Sequence, residues 1–464
     1  MLKSNIAWMK KNVPSDLKVW KGMIQDIDWS QVAAKTKLSL QRDKDRITAE
    51  FKEFAAMDTS AKIDWLMNGD RHLGYLYKKD AIAFARREWK GLKSVGYDFV
   101  GWLKIWGGML NMVMKDPMSI MLAVFEYHWF ASYLATPAVV DRSVFGRRGK
   151  LLQADFDMWV AITHWAEDLI ANLIMADAKI GGNQKINKRI IMFDEMTMAQ
   201  MMAGFPNLLG IPYQMIPVFM VSEMDQLTLI PYIDAIESYG LPSDTCPLPT
   251  AECGCAVKDE YPMCGQGFIA SSMPCDGSVM ATSFQDRRFS KFMPSYPLCM
   301  PVRYDDEDTT EMAAADMKDC IHWVEGLTGE TWNWDTYFAT MEKMNECTRL
   351  EMEKWEINKT HYPQLVGSSF ELFRKWNYEM DGGLFPEGLK TQRKICKTMM
   401  ETYEKKLPAY VGGYEKYRAL IWSCPAHFYA NFSNWLANSW GINALTEMEA
   451  LNMTKMLNTT DKEE

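Results

Sequence analysis

GFIASSMPCDG, residues 267–277, combines a short apolar run, a Pro-Cys-Asp break and a glycine. The run predicts a buried strand, and the break predicts a turn into a helix. If the strand belongs to a parallel sheet, Cys275 lies at its carboxyl end, where open α/β sheets place ligands. A helix beginning near Gly277 would aim backbone N–H groups at that spot and favour a thiolate or an anionic cluster.

Similar short runs bounded by Pro and Gly flank this one: MIPVFM near 215–220 and YPLCMPV at 296–302. Between the first two lies LTLIPYIDAIESYG, a helix ended by Gly240. Short buried runs alternating with helices predict parallel α/β architecture over 191–408. Farther out the pattern changes. Residues 1–190 read as a mainly helical N-terminal module, with Trp159, Ile162, Trp165, Leu169 and Leu173 at helical spacing and Gly181-Gly182 as a stop. Residues 310–380 are helical again. Met317, Ile321, Val324 and Leu327 share a face, and Asp335 is the expected N-cap of a long helix. Gly382-Gly383 with Pro386, and PAYVGGYEKYR (408–418), mark joints. RALIWS then opens a further α/β domain, 409–464, with a helix through NFSNWLANSWG. One βα unit does not bury a parallel sheet alone, so this last domain is expected to be incomplete and the chain a fragment.

The 464 residues carry a net charge of −9, with 48% hydrophobic and 24% charged side chains, an ordinary globular composition. The acidic balance argues against a dedicated nucleic-acid binder. Residues 1–12 (MLKSNIAWMKKN) lack the apolar stretch of a secretory signal. Lys104, Lys115, Asp116, Glu126 and His128 interrupt the most apolar region, 99–138, so core helices are expected there and no membrane span. A cytoplasmic setting with reduced thiols follows.

Of ten cysteines, five fall within thirty residues: Cys246, Cys253, Cys255, Cys264 and Cys275. Clustered thiolates point to zinc or an iron–sulfur centre, although no CxxC pair or Cys/His finger is present, and unrelated thiols remain open. Glu252, six residues after Cys246, is a candidate acid/base, set against a plain surface carboxylate. Arg287, Arg288 and Lys291 in DRRFSK are candidates for CoA phosphates, set against a solvated helix face. His164 and His322 are expected to be core residues.

The stretch 230–375 resembles the 2-hydroxyacyl-CoA dehydratase family, which includes the benzoyl-CoA reductase subunits. The family's Glu-x-x-Gly-x-x-x-Asp-x-Cys run is matched by Glu237, Gly240, Asp244 and Cys246. Its strand ending in a Cys-polar pair is matched by Cys275 and Asp276. A Pro-containing strand (Leu298 to Val302), a Gly-rich turn and a helix with Asn345 and Arg349 follow in the family's order, and RALIWS looks like the start of its second α/β domain.

The resemblance implies Rossmann-like domains and a [4Fe–4S] cluster held by three Cys, two of them Cys246 and Cys275. The third falls beyond residue 464. It also implies a second dehydratase or reductase subunit, an ATP-dependent iron–sulfur activator and an acyl-CoA substrate. In the implied mechanism one low-potential electron makes a ketyl radical that expels the hydroxyl group. Pro247-Leu248-Pro249 stands where many members have an aromatic residue and Arg, and residues 1–190 have no recognised counterpart. An aryl-CoA reductase subunit, a catalytically silent structural partner and a zinc-stabilised scaffold are the alternatives.

Overall fold

The computed structural model describes residues 28–68, 91–144, 149–180, 189–193, 198–213, 215–219, 221, 227–242, 244–271, 276–299, 307–364, 382–407, 415–421, 436, 440–447 and 456–462, with 18, 21 and 25. The N-terminal third is helical: α1 (Trp29–Ala56), α2 (Thr59–Asn68), α3 (Gly91–Lys115), α4 (Pro117–Glu126) and α5 (Gly149–Ala176), with shorter turns between α4 and α5. Asp116 caps α4 by accepting from Ser119 N, and Pro117 supplies a first helical φ at no hydrogen-bond cost. The five periodic residues Trp159 to Leu173 are all buried. So are residues on every side of α5, as for a helix at the centre of a large core.

Four strands follow or interleave: β1 (Arg189–Phe193), β2 (Leu208–Pro212), β3 (Gly267–Ser271) and β4 (Ser295–Leu298). All pair in parallel, in the order β2-β1-β3-β4. Their side chains alternate between two cores. Ile190, Met192, Ile211, Phe268 and Ala270 join α5 on one side, while Ile191, Phe193, Ile269 and Leu298 meet Cys320 and Val324 of α9 (Glu307–Thr328) on the other. The parallel α/β expectation is therefore met. The strand order is the flavodoxin-type one, whose reversal lies between β1 and β3, and not the 3-2-1-4 order of a Rossmann half.

Several expectations change. MIPVF (Met215–Phe219) is a wide helical turn containing Pro217, and the strand in that region is LLGIP, 208–212. The strand expected at 298–302 is 295–298. The long helix α10 (Trp334–Asn358) is capped by Asn333, whose Oδ1 accepts from Asp335 N at 2.9 Å and Thr336 N at 3.1 Å, and Asp335 sits in its first turn. His322 is exposed, and half-buried His164 places Nδ1 2.8 Å from Glu387 Oε2 of α11 (Pro386–Glu404). One apolar core runs from Ile105 of the helical third through the sheet to Met399. At this seam Asp177 is fully buried. It accepts from Tyr127 OH, Met263 N at 2.8 Å and Lys179 N at 3.1 Å.

RALIWS opens as expected, with β5 (Tyr417–Ile421), which pairs in parallel with β6 (Ile442–Glu447). Arg418 donates to the carbonyls of Lys359 and Thr360, each at 2.6 Å, and Asn443 donates to that of Asn358 at 2.9 Å, fixing the pair to the end of α10. The helix expected through NFSNWLANSWG lies almost wholly outside the described residues. No described helix is long and apolar enough to cross a membrane.

Candidate functional site

The thiol segment is organised by two packed helices, α7 (Pro247–Val257) and α8 (Asp276–Phe289), after α6 (Ile230–Glu237). Gly240, at φ +97°, supplies the left-handed residue that turns the chain out of α6. Pro247 then starts α7, and Cys246 is its N-cap, extended at φ −51° and ψ 126°. Its carbonyl accepts from Thr250 N at 3.2 Å and Thr250 Oγ1 at 2.8 Å, while its thiol makes no capping bond. Cys246 is exposed. An exposed sulfur at the positive end of a helix dipole suits a thiolate metal ligand.

The next three thiols are built differently. Cys253, Cys255 and Cys264 are buried, at 0%, 0% and 9% exposure. Cys253 joins Ile236 and Ala281, whereas Cys255 and Cys264 lie in the main core. Burial pushes the Cys255 and Cys264 thiols well up, reinforced by Glu260 and Glu252 beside Cys255 and by Asp177 near Cys264. Tyr213 Oη lies 3.8 Å from the Cys264 sulfur. All three are packing thiols, and at Cys255 and Cys264 burial disfavours the thiolate. Gly254 between the first two is required by contact: a Cβ there would lie 2.1 Å from the Tyr232 carbonyl oxygen of α6. Cys-Gly-Cys is therefore a helix-packing element. Among the described residues no three His, Cys, Asp or Glu side chains converge as a metal site, so the four-thiolate zinc arrangement is not formed.

Cys275 lies outside the described residues. Its neighbours are in place: β3 ends at Ser271 and α8 begins at Asp276. The strand-to-helix setting read from GFIASSMPCDG is therefore present. β3 also borders the reversal point of the sheet, where open α/β sheets bind ligands. One further thiol belongs to this end. Cys299 directly follows β4, is exposed, and has its amide held by Asp316 Oδ2 at 2.7 Å. The sequence reading placed it inside a strand, and the correct strand end would have revealed it.

Glu252 is not a surface carboxylate. It is fully buried between α7 and α8, where Gln285 Nε2 donates to Glu252 Oε2 at 3.3 Å and to Tyr261 Oη at 3.0 Å. Arg287, Arg288 and Lys291 cluster at or just past the carboxyl end of α8, which leads into the start of β4. Along a 14-residue helix that is about 20 Å from the end nearest Cys275. Arg288 is paired with Asp259 and stacks its guanidinium 5.8 Å from the Phe292 ring centre, while Arg287 and Lys291 are exposed. Asn345 is buried and exchanges hydrogen bonds with the backbone of Leu457, at 2.8 and 2.7 Å. Arg349 is exposed beside Glu342. A cleft of about 360 Å³ opens elsewhere, at the start of β2, lined by Trp165, Asn172, Phe205, Thr336 and Phe385.

Residues 226–464, just over half of the chain, match the family described as 2-hydroxyglutaryl-CoA dehydratase, D-component. The match begins after β2 and takes in α6, α7, α8 and both candidate cysteines. No curated protein matches the chain.

Proposed function

The chain belongs to the 2-hydroxyglutaryl-CoA dehydratase D-component family, and from that premise we propose that it is the iron–sulfur subunit of a 2-hydroxyacyl-CoA dehydratase. The family makes it a dehydratase-type component and implies an acyl-CoA substrate and a partner subunit in general terms. The observation that carries the finer reading is the contrast within the thiol segment. Cys246 stands exposed on a helix N-terminus, while Cys253, Cys255 and Cys264 are sealed in the core.

Cys246 and Cys275 fit a [4Fe–4S] cluster by donor type and setting. Each flanks the start of a helix, and the two helices pack together. A cluster held there would supply one low-potential electron, received from an ATP-dependent activator, and an open iron as Lewis acid for the acyl thioester. The protein's own part is positional. Pro247 fixes the start of α7, Gly254 seats α7 on α6, and the Glu252–Gln285–Tyr261 group joins α7 to α8. Glu252 lies too deep to meet substrate, so its role here is to hold the two helices. Arg287 and Lys291 remain available to an anionic group such as a CoA phosphate, at the far end of α8.

The test is anaerobic purification of the full chain with its partner subunit, measuring iron and acid-labile sulfide beside Cys246→Ser. Serine is a good N-cap, and Cys246 is exposed, so the variant should keep its stability within about 0.5 kcal/mol. Loss of iron and sulfide with unchanged melting supports the cluster. An iron-free wild-type chain in the intact complex refutes it and leaves a structural partner subunit.

A further inference from the structure

Helix α3 is apolar on both sides. On its inward side Ile105 and Met112 join the main core, and Ser94, Gly101 and Gly108 let the helix sit close to α5, where a Cβ at Gly101 would lie 2.4 Å from the Phe156 ring. Its outward face is large and apolar. Leu92, Val95, Phe99 and Leu103 form one unit spaced 3-4-4, and Leu103, Trp106, Leu110 and Met114 form a second. These seven residues are between 41% and 66% exposed. A repeat of 11 residues, about 3.67 per turn, keeps such a seam on one side of a nearly straight helix. Scattered apolar residues on a surface need no explanation, but a contiguous stripe along 25 residues marks an interaction surface.

We propose that this face joins two copies of the chain through an antiparallel α3–α3 contact centred on Leu103. A two-fold interface puts one patch of the chain against the same patch of the other copy. A two-fold through Leu103 sets Leu92 opposite Met114, Leu110 opposite Gly96 and Phe99 opposite Gly107. Both glycines lie on the exposed side, and a Cβ at either would meet no heavy atom within 4 Å. Leu110 and Phe99 thus each meet a glycine notch on the other copy, while Val95 falls opposite Asn111 and Trp106 opposite Val100. Seven half-exposed large side chains offer on the order of 700 Å² per copy, near the about 800 Å² per partner of a stable interface. The face precedes residues 226–464, so the inference does not depend on the dehydratase reading.

The mass of the full chain in solution should be measured by analytical ultracentrifugation over a micromolar range. A dimer is expected, loosened at least tenfold by Gly107→Leu and abolished by Trp106→Glu, with circular dichroism and melting unchanged. In case these variants misfold, Leu103→Cys gives an independent reading. The two-fold brings residue 103 against itself, so mild oxidation should add a covalent dimer absent from the wild type, and Val95→Cys should not. A wild type that stays monomeric overturns the proposal. So does a monomer that instead sediments with vesicles of anionic phospholipid, which would make the stripe a lipid-contact face.

Discussion

Replacing Gly254 by alanine sets two effects of opposite sign against each other. Gly254 lies inside α7, where alanine is favoured over glycine by about 0.8–1.0 kcal/mol through helix propensity alone. Against this, the new Cβ would lie 2.1 Å from the Tyr232 carbonyl oxygen, 2.5 Å from its carbon and 2.7 Å from its Cα, where ordinary contact starts at 3.4 Å. The obstacle is backbone within α6 and cannot swing aside, so α7 has to retreat by about 1.3 Å. A gap of that size forfeits half or more of the dispersion attraction across the contact. Overpacking of this kind costs about 1–3 kcal/mol and occasionally more. The net expectation is a loss of about 1 kcal/mol, reaching about 2 at the upper end of that cost, read as a lower urea midpoint. Gly326→Ala, in exposed helix with nothing within 4 Å, is the control and should gain up to about 1 kcal/mol. If Gly254→Ala stabilises as much as the control, α6 and α7 are not in backbone contact, and Cys-Gly-Cys loses its standing as a packing element.

Two other perturbations test the core. Lys354 and Glu351 form a fully buried pair on α10, 2.6 Å apart, with Lys354 Nζ also donating to Gln392 Oε1 of α11 at 2.8 Å. Lys354→Met strands a buried carboxylate and should cost about 3–5 kcal/mol, while adding Glu351→Leu should recover most of it; a double variant no better than the single would refute the pairing. Burial holds the Asp177 carboxyl above its ordinary range, against the bonds from Tyr127, Met263 and Lys179 that favour the anion. The folded chain therefore binds this proton more tightly than the unfolded one. The linked stability is fully present below the ordinary value of 3.8 and is lost as pH rises through the raised value. Melting temperatures of the wild type should accordingly fall more than those of Asp177→Asn over that window, and parallel curves would count against the linkage.

The strands that could be read from the residues were those with clean boundaries. GFIAS is a five-residue apolar run set off by Gly267, and RALIWS is set off by the joint before it. The strand RIIMF (189–193) follows a Gly-, Asn- and Lys-rich stretch and is buried on both sides of the sheet after Arg189, so it shows no alternation to detect. LLGIP contains Gly210 and ends in Pro212, which normally argue against a strand. It is an edge strand, where a missing ladder donor at its end costs little. The wide turn at 215–219 looks more strand-like by composition, yet long-range packing of Ile216 and Val218 into the main core decides its form.

The thiol segment shows why nearness in sequence misleads about a site. On a helix each residue turns by about 100°, so the two cysteines of a C-x-C pair point about 200° apart and cannot grip one ion. That is what α7 does with Cys253, which faces Ile236 and Ala281, and Cys255, which faces the main core. Cys246 is seven residues before Cys253, about 10 Å along the axis, and outside the core. Once α7 is recognised as a helix from its Pro-capped start, the five clustered thiols sort themselves. Cys253 and Cys255 are packing by geometry, Cys264 lies in the core beside Tyr213, and Cys246 alone of these four keeps a position from which it can act. The chemistry assigned to this chain therefore rests on the ends of its helices, and not on the density of its cysteines.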